Sequence, residues 1–139
     1  MTLIFNPVII LVVDDDVHLL KAVKHLLEDE HSSVLTASGP YQAIQVLEKT
    51  EVDIIITDEV MPEMNGVELL EIVCKRWPKT YRVLFTAYSW PDTMMQSVNR
   101  GGVHKILVKG PSIQEFVDTI QQLVNDCLSQ RSPRSDPPS

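Results

Sequence analysis

The sequence predicts an α/β fold, a doubly wound (βα)5 arrangement with a five-stranded parallel sheet. Three observations predict it. Short β-branched runs recur along the chain, Val8–Val13 (VIILVV), Asp53–Thr57 (DIIIT) and Tyr81–Thr86 (YRVLFT). The first two are apolar without alternation, as strands buried on both faces are. Between the runs lie stretches whose apolar residues recur at helical spacing. Several of the runs also end in polar residues able to do chemistry, and ligands in open parallel sheets sit outside the carboxyl ends of the strands.

Taken in order, Val8–Val13 is the first strand and stops at Asp14, Asp15 and Asp16. Leu19, Ala22, Val23, Leu26 and Leu27 then form the stripe of a helix with one buried face, expected to end near His31. Asp16 is placed to cap it. Ser33–Ala37 reads as the second strand, and Gly39-Pro40 opens a second helix with Ala43, Ile44, Val46 and Leu47 on its apolar face. Asp53–Thr57 is the third strand and ends at Asp58. A loop with Met61-Pro62 and Asn65-Gly66 leads into a third helix carrying Val67, Leu69, Leu70, Ile72 and Val73. That helix stops around Trp77-Pro78, because the residue before proline disfavours the α region. Tyr81–Thr86 is the fourth strand, Trp90–Arg100 a fourth helix closed by Gly101-Gly102, and His104–Val108 the fifth strand, with Lys109 at its end. The last helix starts at a Ser112 cap and carries Ile113, Phe116, Val117, Ile120, Val124 and Cys127.

At 139 residues and 44% hydrophobic content the chain has the size and composition of one soluble domain. Twelve Lys and Arg against nineteen Asp and Glu give a net charge of −7, a field that repels phosphodiester backbones and anionic membranes. Neither direct nucleic-acid binding nor membrane binding is expected. The longest apolar run falls far short of the ~20 residues that span a bilayer, and no basic residue precedes Lys21 as a secretory leader would require. A cytoplasmic location is expected. Cys74 and Cys127 fall in predicted helices without metal-ligand spacing and read as free thiols. His18, His25, His31 and His104 also lack such spacing and read as surface or capping residues. Residues 130–139 contain no hydrophobic side chain and read as a disordered tail or the start of a linker, leaving residues 1–129 as the domain.

The strand ends bring Asp14, Asp15, Asp58, Thr86 and Lys109 to one rim. Clustered carboxylates repel and need a cation, and oxygen-only ligands favour a hard one such as Mg²⁺, which accepts a few protein oxygens and keeps several waters. Such a set suits phosphoryl transfer to a carboxylate. Asp58 is the nucleophile, Thr86 donates a hydrogen bond to the phosphoryl group, and Lys109 neutralises charge on its oxygens.

IILVVDDD, DIIITDEVMPEMNGVELL, VLFTAYS and ILVKGP, in this order, resemble the receiver domain of two-component response regulators over roughly Val8 to Leu128. The resemblance implies the flavodoxin-like, CheY-like strand order 2-1-3-4-5. It matches Asp58 to the phosphoacceptor, Asp14 and Asp15 to the acidic pair, Thr86 to the switch hydroxyl and Lys109 to the lysine. It also assigns the backbone carbonyl of Val60 to the metal, Mg²⁺. It implies a signalling phosphoprotein that takes a phosphoryl group from a sensor histidine kinase or phosphotransfer protein and alters partner binding. Its own chemistry would be limited to self-phosphorylation and self-dephosphorylation, with no enzyme activity on outside substrates. Output domains or proteins, and a possible second copy, are expected on the face made by the fourth helix, fifth strand and last helix, where Met94, Met95 and Val98 lie.

The chain departs from this pattern at two places, and two further residues bear on the lifetime of the phosphoryl group. Gly110 stands where receivers carry the proline of a cis peptide; a cis non-proline bond costs ~2.5–4 kcal/mol, so a trans Lys109-Gly110 bond is expected, with Lys109 held less firmly over Asp58. Ile106 replaces the usual Tyr or Phe three residues before the lysine, which removes the family's aromatic rotamer signal. Val60 and Tyr88 flank the line of attack of a hydrolytic water, and Val60 has no polar group to orient it, so slow self-dephosphorylation is expected. Gly110 and Ile106 favour an alternative, a receiver-like interaction module that does not switch. The retained acids, Thr86 and Lys109 argue against it. A metal-dependent phosphatase acting on outside substrates shares the aspartate chemistry but has no room for a cap domain.

Overall fold

The computed structural model describes residues 6–87, 102–110 and 112–131. Along the chain run β1 (Val8–Val13), α1 (Val17–Leu27), β2 (Ser32–Ala37), α2 (Pro40–Lys49), β3 (Ile54–Asp58), α3 (Gly66–Arg76), β4 (Tyr81–Thr86), β5 (Lys105–Val108) and α4 (Ile113–Ser129). All five strands are parallel, in the order β2-β1-β3-β4-β5. The expected helix over Trp90–Arg100, with Met94, Met95 and Val98, lies outside the described residues, as do Tyr88, Pro111 and residues 132–139.

Successive strand side chains point to opposite faces, so each apolar run feeds two cores at once. Val8, Ile10, Val12, Ile54, Ile56, Val83 and Phe85 pack with Leu20, Val23 and Leu27 of α1 and with Phe116, Val117, Ile120 and Val124 of α4. Leu11, Val13, Ile55 and Leu84 pack on the other face with Ala43 and Leu47 of α2 and with Leu69, Leu70 and Val73 of α3. Both faces of the sheet are therefore covered, which explains the absence of polar alternation in β1 and β3.

The helix starts follow local chemistry. Asp16 caps α1, accepting from the backbone N–H groups of His18 at 3.0 Å and Leu19 at 3.2 Å. Asn65 caps α3 by accepting from Glu68 N–H at 2.9 Å; caps of this kind contribute about 1 kcal/mol each. Ser112 stands at the cap position of α4 but makes no side-chain cap bond.

The structure corrects several details of the pattern. The buried face of α1 is Leu20, Val23 and Leu27, while Ala22 and Leu26 face solvent. The helix ends at Leu27, four residues before His31. Glu28 is drawn away by β2, where its carboxylate accepts Val34 N–H at 3.0 Å and Lys24 Nζ donates to Val34 O at 2.8 Å. These two side chains occupy outward-facing backbone groups of an edge strand, positions otherwise open to pairing with another chain. Ile113, expected on the apolar face of α4, is 43% exposed at its first turn. Cys74 and Cys127 are free, as expected.

Register decides what reaches the rim. Val13 pairs with Thr57, Asp58 with Phe85, and Thr86 with Val108, so the carboxyl ends of β1, β3, β4 and β5 finish nearly level. The residues that end or follow those strands, Asp14, Asp15, Asp58, Thr86 and Lys109, are delivered to the same edge.

Candidate functional site

Asp14 leaves β1 at 3% exposure, its backbone N–H still bonded to Ala37 O at 3.1 Å. Its Oδ1 accepts the Asp16 N–H at 2.8 Å, a bond that turns the chain into α1 and fixes the carboxylate. Asp58 is the last residue of β3 and is held from behind by α3, because Gly66 packs directly on its backbone. A Cβ at Gly66 would lie 2.1 Å from Asp58 O, so glycine is required there by the close approach itself. Gly66 N–H also donates to Glu59 O at 2.8 Å, closing the loop after the strand. Within that loop Glu63 takes a φ of 77°, a left-handed backbone that a non-glycine residue adopts at some strain.

Asp14, Asp15 and Asp58 each offer a carboxylate oxygen, and these atoms lie within 4.8 Å of one another. The donor set is oxygen only, with one buried, one half-buried and one exposed carboxylate, which fits a hard divalent cation open to water on one side. Lys109 Nζ reaches the same carboxylates, donating to Asp14 Oδ2 and Asp58 Oδ1 at 3.0 Å each. One ammonium balances only part of the negative charge assembled here.

The electrostatics follow from that imbalance. Burial pushes the Asp58 carboxyl above its ordinary value; Asp14 adds to the shift and Lys109 opposes it without cancelling it. Burial alone would lower Lys109, but the hydrogen bonds to Asp58 and Asp14 outweigh it and hold the ammonium above its ordinary value. Lys109 is charged at neutral pH and is a resident counterion of the site.

Described peptide bonds are all trans, so the Lys109-Gly110 bond is trans as the sequence expects. The looser hold on Lys109 expected from Gly110 is not found. Lys109 N–H donates to Thr86 O at 2.6 Å, and its ammonium is anchored at two carboxylates and lies 5.4 Å from the centre of the Phe85 ring. Phe85 in turn stacks on Phe116 of α4, with ring centres 4.4 Å apart. The space at Gly110 is nearly open, and a Cβ there would meet nothing nearer than Val108 O at 3.9 Å. Ile106 packs partly buried against the core on the α2 and α3 face. Val60 is 66% exposed, its side chain directed to solvent.

Thr86 is fully buried at the end of β4, and its hydroxyl donates to the Glu59 carboxylate. The sequence motifs do not single out Glu59. Only its position next to Asp58 could have drawn attention to it, since the contact joins residues 27 apart in sequence.

Residues 10–121 match the family model described as response regulator receiver domain. The hydrogenase transcriptional regulatory protein HoxA of Cupriavidus necator is 33% identical over 115 residues, 83% of this chain and 24% of that protein. The transcriptional regulatory protein GlrR of Escherichia coli is 34% identical over 132 residues, 94% of this chain and 28% of that protein. The chain spans about a quarter of the length of these curated relatives. Among solved structures, the signal receiver domain of an HD domain-containing protein from Pseudomonas fluorescens aligns with a TM-score of 0.78 at 27% identity, covering 90% of this chain and 100% of that one. The chemotaxis response regulator CheY4 of Vibrio cholerae aligns at 0.76 with 28% identity, covering 86% and 99%. With the parallel order, the acidic rim and Lys109 in place, the chain belongs to the response regulator receiver domains, the receiver modules of two-component signalling.

Proposed function

We propose that this receiver accepts a phosphoryl group on Asp58 with Mg²⁺ held by Asp14, Asp15, Asp58 and the backbone carbonyl of Val60, and that the modification changes its affinity for partners. The observation that carries the reading is Lys109 Nζ at 3.0 Å from both Asp14 and Asp58, beside three carboxylates whose oxygens converge within 4.8 Å. In the transfer an Asp58 oxygen attacks the phosphorus of a phosphohistidine, the P–O bond forms, the P–N bond breaks, and the imidazole leaves with a proton from water. Bound Mg²⁺ supplies charge neutralisation at the phosphoryl oxygens. Lys109 is already charged and within reach of Asp58, so it supports the developing negative charge without a prior proton transfer. Thr86 supplies a hydroxyl donor from the neighbouring strand.

The donor is a sensor histidine kinase or a phosphotransfer protein, and the product is read by an output domain or protein on the face that includes β5 and α4. The chain acts as a cytoplasmic signalling phosphoacceptor, turning over only its own phosphoryl group, with residues 1–129 as the domain and 130–139 as a tail or linker. No described helix is long and apolar enough to cross a membrane. Val60, with no polar side-chain group near the line of attack, supports slow self-dephosphorylation.

Intact mass after incubation with acetyl phosphate tests the reading. The wild type is expected to gain one phosphoryl mass only when Mg²⁺ is present, and Asp58→Asn to gain none. No adduct on the wild type, with Mg²⁺ binding demonstrated, would favour instead a receiver-like module that binds a partner constitutively, the reading that Ile106 favours.

A further inference from the structure

We infer that Glu59 is a positioning residue that holds the Thr86 hydroxyl away from Asp58 until a phosphoryl group displaces it. The inference rests on the phosphoacceptor reading of Asp58. A threonine hydroxyl has one proton to donate, and in this structure it goes to the Glu59 carboxylate. The same proton cannot serve a phosphoryl oxygen on Asp58, so the two bonds exclude each other. Thr86 is fully buried, which strengthens a bond to an ionised acceptor and raises the penalty of leaving it unmade.

Glu59 is held in place for this role. Its backbone carbonyl is fixed by Gly66 N–H at 2.8 Å, and it follows Asp58 directly at the end of β3, beside β4 where Thr86 stands. Its side chain is only half-buried, so a displaced carboxylate has water to enter. A phosphoryl group on the adjacent Asp58 competes with it twice, as an acceptor for the Thr86 proton and as a like charge that repels the carboxylate. The Glu59 carboxylate and the phosphoryl group are therefore alternative acceptors for the hydroxyl, and phosphorylation biases the choice between them. Part of the free energy of phosphoryl binding is used to break the Thr86–Glu59 bond.

The consequence is that removing the Glu59 carboxylate favours the activated arrangement. With Mg²⁺ and beryllofluoride as the phosphoryl mimic, Glu59→Ala is expected to bind the mimic about tenfold more tightly than wild type, the scale of one bond to a charged group. Glu59→Gln, which keeps an acceptor oxygen but loses the charge, should gain less. Removing a negative charge near an anion site also tightens binding without any latch, so the deciding comparison is made in a Thr86→Ala background. There the latch no longer exists, and the gain from Glu59→Ala should shrink to the general charge effect. Thermal midpoints of all five proteins establish that they are folded, and the Thr86 methyl resonance of the resting protein should shift in Glu59→Ala.

An equal gain in both backgrounds, no gain at all, or an unmoved Thr86 methyl overturns the latch while leaving phosphoryl acceptance intact. A folded wild type that takes up neither beryllofluoride nor a phosphoryl group overturns both readings together.

Discussion

The two rims of the sheet both bury charge, and they resolve it differently. At the carboxyl rim Asp14, Asp15 and Asp58 converge, Asp14 and Asp58 share the Lys109 ammonium, and burial raises the Asp58 pKa. At the opposite rim Arg82, only 5% exposed, directs its Nε and Nη1 donors at backbone carbonyls. Its Nη1 donates to Pro78 O at 3.1 Å and Thr80 O at 3.0 Å, its Nε donates to Gly102 O, and its Nη2 lies 3.1 Å from His104 Nε2. Nearby, Thr80 Oγ1 donates to Val52 O at 2.8 Å, and Asp53 accepts from Ile9 N–H at 2.8 Å and pairs with Arg131 at 2.6 Å. One rim is a set of hydrogen bonds, most of them to backbone carbonyls, that ties strands and loops together. The other retains electrostatic strain, and a bound cation or phosphoryl group can relieve or exploit that strain.

Breaking the satisfied rim should therefore cost the most. Arg82→Met removes the donors of three backbone carbonyls while keeping much of the apolar stem, and is expected to lower stability by about 3 kcal/mol in urea unfolding, with the same slope against denaturant. A loss below about 1 kcal/mol would mean that water replaces the guanidinium at no penalty, and the contrast between the rims would disappear.

At the acidic rim the sign should reverse. Asp58→Asn removes a partly buried charge whose pKa burial has raised, and Lys109 keeps Asp14 as a partner. In metal-free buffer at neutral pH the variant is expected to be more stable than wild type by about 0.5–1 kcal/mol. The sign follows from linkage. Folded Asp58 holds its proton to higher pH than the unfolded residue, so its contribution to stability falls as pH rises through the window above the unfolded carboxylate value and stays low beyond it. The advantage of Asp58→Asn should vanish below that window. It should also narrow when Mg²⁺ is added, because a cation that binds the folded wild type stabilises it by mass action.

How much of this was legible in the sequence differs between the rims for physical reasons. The strands were readable because both-face burial leaves unbroken apolar runs, and β1 and β4 have the bounds the pattern predicts. The acidic site was readable because parallel strands of matching register bring their carboxyl ends together, so Asp14, Asp58, Thr86 and Lys109 converge from one-dimensional marks. The Glu59 contact with Thr86 was not, since it depends on a side-chain direction across two strands. The Arg82 cluster was less visible still. A lone arginine in a strand carries no motif, and its acceptors are backbone carbonyls on turns and a loop that no residue type announces. The end of α1 was misplaced for a related reason, because Glu28 is recruited by an edge strand that the helical pattern does not contain.

The smallest expected effect sharpens the comparison within the satisfied rim itself. His104 stacks on Tyr81 with ring centres 4.6 Å apart, accepts Arg82 N–H at Nδ1 at 3.0 Å, and faces Arg82 Nη2 with its other nitrogen. A neutral imidazole has one acceptor nitrogen to offer these two donors, and a protonated one has none. Burial, with the Arg82 charge adding to it, accordingly holds the His104 pKa below its ordinary value. The unfolded histidine takes up its proton at higher pH than the folded one, so stability is complete above the unfolded value near 6.5 and is lost as pH falls from there through the folded value. The ring is partly solvent-exposed, and screening reduces the effect to less than about 1 kcal/mol. His104→Gln should flatten the wild-type decline in thermal midpoint between neutral and mildly acidic pH without altering it above neutrality. If both proteins decline in parallel, the acid sensitivity belongs to other groups, and Arg82 is held by its backbone carbonyl acceptors irrespective of the His104 charge.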